Sequence, residues 1–257
     1  MLPNAWDVAS ARIFEDAGFP AMATTSSGIA NSLGYPDGQV IPRDEMLEVV
    51  ARIVRAVSVP VSADMEAGYG ETPDDMAATA RGVVEAGAVG LNLEDAMGEG
   101  SGKLFEISLQ QEKIRAMVAA AKKMGVDLVL NARTDIYLEE VGEPSTRADR
   151  TIERLNAYRD ARAACLFAPG VNDAATIAQL VRGVRGPLNI LGRAGTPPVR
   201  ELEKLGVARV SVGGGPMRVT MTIVSRLAKR LREDGDFSAM FGEAMPFAEA
   251  NRLMRNG

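Results

Sequence analysis

The chain contains no histidine among its 257 residues and a single cysteine, Cys165. The missing histidine excludes Ser-His-Asp and Cys-His catalysis, His-ligated zinc and the usual near-neutral general base. One cysteine excludes an intrachain disulfide, and its place among apolar neighbours reads as core rather than nucleophile. Acid–base chemistry is left to carboxylates, lysines, tyrosines, hydroxyls, water or the substrate itself. A long basic run is also missing, and the net charge is −5. That argues against nucleic-acid binding, whose affinity rests on clustered Lys and Arg. No apolar run has the length of a membrane span and no signal peptide precedes the first motif, so a cytoplasmic location without membrane contact is expected.

What is present is a regular alternation. Short apolar runs at 20–25 (PAMATT), 59–64 (VPVSAD), 88–94 (AVGLNLE), 127–133 (DLVLNAR), 164–168 (ACLFA), 187–191 (PLNIL) and 207–212 (VARVSV) are bounded by Gly, Pro or polar residues. They predict strands buried on both faces. Amphipathic stretches at 43–57, 73–86, 108–124, 145–163 and 172–183 lie between them, and a helix from about Asp7 to Ala17 follows the opening Met1-Leu2-Pro3-Asn4. That opening segment supplies an eighth strand as a stub, so the chain starts late in the fold. Strand-helix alternation with eight strands in about 250 residues predicts one (β/α)8 barrel domain spanning 1–257. Two helices are expected after the last strand, at 216–233 and 237–254. The second, within the tail 233–257, is surplus to a closed barrel, yet Phe237, Met240, Phe241, Met245 and Phe247 need a surface to cover.

Active sites of parallel barrels lie at the carboxyl ends of the strands. Acids crowd those positions here. In Asp64-Met65-Glu66 the two carboxylates point the same way along a strand, and Glu94 ends the next one. Three carboxylates without His or Cys suit a hard cation, Mg²⁺ or Mn²⁺, although isolated acids after strands are often only solvated. Asp95, outside this trio, is expected to matter far less than Asp64. Arg133 ends its strand and suits a substrate carboxylate, or a salt bridge to a barrel acid. Ser26-Ser27-Gly28-Ile29 follows another strand and reads as an anion-approaching loop or as a plain turn. Gly213-Gly214-Gly215 before a helix admits the same two readings.

Taken in order, Ser26-Ser27-Gly28-Ile29, Gly34-Tyr35-Pro36-Asp37, Asp64-x-Glu66-x-Gly68-Tyr69-Gly70, Asn92-Leu93-Glu94-Asp95 and Asn131-Ala132-Arg133-Thr134-Asp135 resemble the isocitrate lyase/phosphoenolpyruvate mutase superfamily along nearly the whole chain. The opening Leu2-Pro3-Asn4-Ala5-Trp6-Asp7 resembles its oxaloacetate decarboxylase branch. The resemblance implies that Ser27, Gly28 and Ile29 hold one carboxylate or phosphonate end of the substrate. It implies that Asp64, Glu66 and Glu94 hold the metal, with Asp64 reaching it directly or through water and so lying beside the substrate. It also implies that Arg133 binds substrate and that Asp37 on a mobile loop helps catalysis. The implied chemistry breaks or makes a bond next to an enolpyruvate-like anion.

The sequence departs from the family in the loop 96–104, AMGEGSGKL, which lacks the Lys-Lys-Cys-Gly-His of the lyases and the Lys-Arg-Asn of the phosphonate enzymes. Lys103 and Glu99 are its only ionisable groups, and with three glycines it is expected to act as a lid. Near 187–191 the lyases offer Asn and Thr to a second carboxylate; here Asn189 remains and Leu191 replaces the Thr. A Mg²⁺-dependent carbon–carbon lyase or decarboxylase on a small, oxaloacetate-like 2-oxo or 2-hydroxy carboxylate is the first expectation. A phosphonopyruvate-type mutase or hydrolase and a non-catalytic barrel that binds a 2-oxo acid are the others. The surplus helix and the resemblance together predict a homotetramer of helix-exchanging dimers.

Overall fold

The computed structural model describes residues 1–98 and 100–255. In chain order its elements are β1 (Asn4–Ala5), α1 (Val8–Asp16), β2 (Met22–Thr24), α2 (Ser26–Ser32), α3 (Arg43–Ala56), β3 (Val61–Asp64), α4 (Pro73–Glu85) and β4 (Gly90–Leu93). There follow α5 (Ile107–Lys123), β5 (Val129–Arg133), α6 (Arg147–Asp160), β6 (Cys165–Ala168), α7 (Ala174–Gly183), β7 (Leu188–Leu191), α8 (Val199–Leu205), β8 (Arg209–Ser211), α9 (Gly215–Glu233), α10 (Ser238–Glu243) and α11 (Phe247–Met254). The strands form one parallel sheet in sequence order, β1 to β8. The barrel nearly closes: Leu2 bridges Ser211, and Asn4 Oδ1 accepts from the Val212 and Gly213 amides at 2.8 and 3.0 Å. The opening stub therefore does the work of a first strand with two residues of its own.

Local chemistry sets the helix starts. Asp7 caps α1 and Thr72 caps α4, each in a reciprocal capping box, and Pro73 opens α4 where an unpaired N–H would otherwise sit. Strand alternation then divides the sheet into two faces. Ala63, Leu91, Leu93, Leu130, Ala132, Leu166, Ala168, Leu188, Ile190 and Val210 pack outward in the apolar layer beneath the helices. The alternate positions, Ser62, Asp64, Asn92, Asn131, Arg133, Asn189, Arg209 and Ser211, point into the barrel. Both faces are buried, as the apolar runs predicted, but the inner face is polar.

Three helical expectations change. The segment Ser26–Ile29, read as a loop, is the first turn of α2, because Thr25 caps it. The helix α8 was not anticipated. The single helix expected at 237–254 is two short ones: Pro246 has no N–H to give and biases the residues before it to extended backbone, so Ala244 leaves α10 at ψ 133° and α11 starts afresh. Leu253 is buried, and Arg252 bonds Asp16 at 2.9 Å, which fastens α11 to α1 of its own barrel. Phe237, Phe241 and Phe247 stay 61%, 71% and 84% exposed. No helix among the described residues is long and apolar enough to cross a membrane.

Candidate active site at the carboxyl ends of the strands

Asp64, Glu66, Glu94 and Arg133 meet on one rim, at the carboxyl ends of their strands as expected, although Glu66 lies beyond β3 with a φ of 50° instead of continuing its alternation. Asp64 ends β3 and is 8% exposed. Its Oδ2 accepts from the Ser26 amide and hydroxyl, both at 3.0 Å, and its Oδ1 from Asn92 Nδ2 at 3.3 Å. The start of α2 is thus welded to the end of β3. Glu94 and Asp135 share Arg133: Nη1 reaches Glu94 Oε2 at 2.5 Å and Nε reaches Asp135 Oδ1 at 2.6 Å. Both readings of Arg133 meet here, since a salt-bridged guanidinium with two nitrogens engaged keeps Nη2 for another acceptor.

Glu66 sits in a small ring of hydrogen bonds. Its Oε2 accepts from the Gln39 amide at 2.5 Å and its Oε1 from the Tyr69 hydroxyl at 3.3 Å, while Gln39 Oε1 accepts from the Tyr69 amide at 2.7 Å. All three residues have left-handed backbone, with φ of 61°, 50° and 58° for Gln39, Glu66 and Tyr69. Such conformations are costly for non-glycine residues and persist where surrounding bonds enforce them. The ring brings the 33–42 segment, and Asp37 on it, against the acids. Burial first, then the charges of Asp64 and Asp37, push the Glu66 carboxyl up to about 7. Burial also raises Glu94 well above the usual carboxylate range against the pull of Arg133. Asp135 rises to about 6 by burial, again against Arg133. Burial opposes the charge of Arg133, but Asp135 and Glu94 outweigh it and hold the guanidinium more firmly protonated than usual.

The other expected residues divide. Ser27 is half-buried and Gly28 is buried at the start of α2. A Cβ on Gly28 would stand 2.6 Å from Thr25 Cγ2 and 2.8 Å from Trp6 Cβ, so glycine is required there; one on Gly214 would stand 2.5 Å from Ser27 Oγ, so that hydroxyl would have to turn aside, and the two turns adjoin. Ile29 does not fit its expected role: its side chain is in the core and its amide already bonds Thr25 O at 3.0 Å. Asn189 lies within β7 rather than at its end, fully buried, with Nδ2 donating to Ser211 Oγ at 3.2 Å. Lys103 is exposed and forms no ion pair with the described residues. Glu99 lies outside the described residues. Around it the 96–104 segment is a short hairpin, with Ala96 bridging Leu104 and the Gly100 and Gly102 amides donating to the two oxygens of Glu139 at 3.0 and 2.9 Å.

Residues that sequence reasoning left without a role complete the arrangement. Asp95 is fully buried, with Oδ1 accepting from the Asp135 amide at 2.9 Å and Oδ2 from Tyr158 at 2.6 Å and Arg154 at 3.1 Å. It fixes the Asp135 that orients Arg133, a structural part that sequence reasoning did not give it. Arg154 and Tyr158 are more than fifty residues away on α6 and gave no local signal. Asp135, Asn92 and Ser26 were within reach of the alternation argument.

Among the described residues no three acidic or cysteine side chains stand together as a ready-made metal shell. The chemistry of the donors nevertheless fits a hard cation. Burial, then the charges of Asp64 and Asp37, raise the cost of ionising Glu66, and every donor is oxygen. This suits an ion that keeps several waters and takes one or two carboxylates directly, as Mg²⁺ does.

A barrel with an acid-rich rim, a paired arginine and a small-residue turn beside them defines a class of enzymes on small carboxylates. The phosphoenolpyruvate phosphomutase family model matches residues 1–232. The chain belongs to that family and to the isocitrate lyase/phosphoenolpyruvate mutase superfamily. It is 34% identical to the oxaloacetate decarboxylase of Ectopseudomonas mendocina over 223 residues, covering 82% of this chain and 72% of the relative. A solved Burkholderia cenocepacia J2315 protein, whose assignment as a lyase/mutase is itself provisional, superposes with a TM-score of 0.91 at 42% identity, over 99% of this chain and 90% of that one. Oxaloacetate acetylhydrolase in complex with the inhibitor 3,3-difluorooxalacetate superposes with a TM-score of 0.86 at 26% identity, over 98% and 87% of the two chains.

Proposed function

We propose that this chain is a Mg²⁺- or Mn²⁺-dependent lyase or decarboxylase that breaks a carbon–carbon bond in a small, oxaloacetate-like 2-oxo or 2-hydroxy carboxylate. The observation that carries this reading is the convergence of Asp64, Glu66 and Glu94 with Arg133 on one rim, Asp37 brought in by the Gln39 ring. Arg133, steadied by Glu94 and Asp135, turns Nη2 to the substrate carboxylate. Ser27, with its own amide and hydroxyl, approaches that end of the substrate from the other side, since the Ser26, Gly28 and Ile29 amides are already engaged. With oxaloacetate, the C3–C4 bond breaks, CO2 leaves, and the electron pair passes into the enolate of pyruvate. Asp37 or a water beside it returns a proton to C3. Asp64, with Glu66 and Glu94 near it, would hold a divalent ion, which would supply positive charge where the enolate develops. The polar, water-poor interior strengthens each of these interactions.

A second reading is a phosphonopyruvate-type mutase or hydrolase, favoured by the family model that matches the chain. The missing Lys-Arg-Asn pattern in 96–104 weighs against it. Incubation with oxaloacetate, 2-methylisocitrate and phosphonopyruvate, with and without Mg²⁺, separates the two. Metal-dependent pyruvate and CO2 from oxaloacetate supports the first reading and phosphate or phosphoenolpyruvate the second. Tight binding of all three without turnover would leave the non-catalytic barrel.

The same reading extends to assembly. Val219, Met221, Ile223 and Val224 on α9 are 50–63% exposed, and Phe237, Phe241 and Phe247 of the tail are exposed as well. We infer that this apolar surface is covered by a second copy of the chain, in helix-exchanging dimers that pair into a tetramer.

A further inference from the structure

Inside the barrel one guanidinium has two nitrogens without a hydrogen-bond partner among the described residues. Arg209 opens β8 and is the register partner of Asn189 on β7. Its Nε and Nη2 are closed off from solvent and donate to no acceptor among the described residues. The carboxylate that attracts it, Asp64, is already engaged by Ser26 and Asn92. Its other electrostatic neighbour, Cys165, is a buried thiol whose burial pushes its pKa up, so it stays neutral and offers no counter-charge. A guanidinium does not lose its proton in a protein. A buried charge without a counter-ion is strongly unfavourable.

The neighbour on the adjacent strand is also unfinished. Asn189 is fully buried, and with Nδ2 on Ser211 its Oδ1 has no donor. Turning the amide over would satisfy Oδ1 and strand Nδ2 instead. A planar two-donor fork beside an amide with one open end is the chemistry that receives a planar oxyanion.

We propose that Arg209 and Asn189 form an oxyanion subsite inside the barrel, suited to a carboxylate-sized group. Two sources share that chemistry: the distal carboxylate of a dicarboxylate substrate, or a free oxyanion of formate size. The first source rests on the function proposed above; the subsite itself does not. If the substrate supplies the group, Arg209 sets specificity for dicarboxylates.

Calorimetric titration with formate, succinate and succinate monomethyl ester tests this without any turnover, using the wild-type chain, Arg209→Met, Arg209→Lys and Arg133→Met. Methionine removes an unpaired buried charge at similar length, and lysine keeps the charge but not the fork. For a substrate carboxylate, succinate affinity falls roughly tenfold to a hundredfold in both Arg209 variants, and the difference disappears with the monoester. For a free anion, formate binding is lost in both Arg209 variants and retained in Arg133→Met, with succinate unaffected by position 209. Equal affinities of wild type and Arg209→Met for every probe, or no probe binding the wild type, overturns the subsite. A negative turnover screen would count against the proposed function and leave these titrations to decide on Arg209.

Discussion

Two parts of the molecule invert the usual placement of side chains, in opposite directions. On the rim of β3 to β5, charged residues are buried: Asp64, Glu66, Asp95 and Asp135 are all under 9% exposed. On α9 to α11, large apolar residues face outward, with Phe247 at 84%. The rim resolves its inversion internally. Asp64, Glu66, Asp95 and Asp135 each accept hydrogen bonds, and Glu94 is held by Arg133. The tail does not, beyond Leu253 and the Arg252–Asp16 pair. Buried charge held by the chain's own partners is built for chemistry, whereas exposed apolar surface asks for something from outside. Each substitution below should disturb one side of this contrast and leave the other intact.

The largest effects belong to the rim. Asp95→Ala strands Arg154 and Tyr158 in the interior and should cost about 3–5 kcal/mol of stability, as breaking a buried pair does. Asp64→Ala should lower kcat/KM by roughly 10²–10³-fold with a smaller loss of stability. Chemical denaturation and steady-state kinetics on both variants check the split. A stable Asp95→Ala protein with Asp64-like kinetics would reverse the two assignments.

Glu66 gives a pH-dependent effect of about 3 kcal/mol at most, taking 1.36 kcal/mol per pKa unit. Its carboxyl titrates near 7 in the fold against an ordinary 4.5. The native state therefore binds this proton more tightly than the unfolded chain. The resulting stability is complete below pH 4.5 and is lost as pH rises through 7. Glu66→Gln removes the loss, so the variant should be the more stable protein at pH 8 and equal to wild type at pH 4.5. A divalent cation should relieve the same repulsion, stabilising wild type at pH 8 more than at pH 5 and the variant less. Melting curves of both proteins that run parallel at the two pH values, with and without Mg²⁺, would remove the acids from this role.

Arg133→Lys keeps the charge and loses the fork. A loss of about 1.5–3 kcal/mol in substrate or transition-state binding is expected, the range for hydrogen bonds to charged groups. Because Glu94 and Asp135 remain near any cation at that position, the fold should be little changed. Unaltered kinetics would mean that Arg133 is only a structural clasp.

The contrast also explains what could be read from the sequence. The barrel and its eight strands follow from short apolar runs alternating with helical stretches, and the rim positions of Asp64, Glu66, Glu94 and Arg133 from their places at or just past strand ends, all of which is local. The Gln39–Glu66–Tyr69 ring and the Asp95–Arg154–Tyr158 cluster were not legible, because their members come from different segments and meet only after folding. Ile29 was misplaced because the motif Ser26-Ser27-Gly28-Ile29 does not reveal that Thr25 starts a helix there, which consumes the Ile29 amide. In the tail, the apolar pattern at 237–254 was visible. The break at Pro246 was visible too, since proline removes a donor and biases the residues before it toward extended backbone, but the hydrophobic spacing was given more weight.

The tail should give the smallest effect on the folded chain and the clearest one on assembly. Phe247 touches little, so Phe247→Ser, and even Phe241→Ser with it, should change the stability of an isolated chain by less than about 0.5 kcal/mol, as exposed substitutions do. If these side chains are buried against a second copy, each contributes on the order of 1.5–3 kcal/mol to association. The double variant should therefore dissociate at concentrations where wild type is oligomeric, while its rim, fastened by bonds within one barrel, still binds substrate. Light scattering and sedimentation across a dilution series, read beside denaturation of the dissociated species, measure both quantities. A monomeric wild-type protein would sink the assembly. An oligomer equally tight in the double variant would place its interface elsewhere, on a surface other than this apolar one.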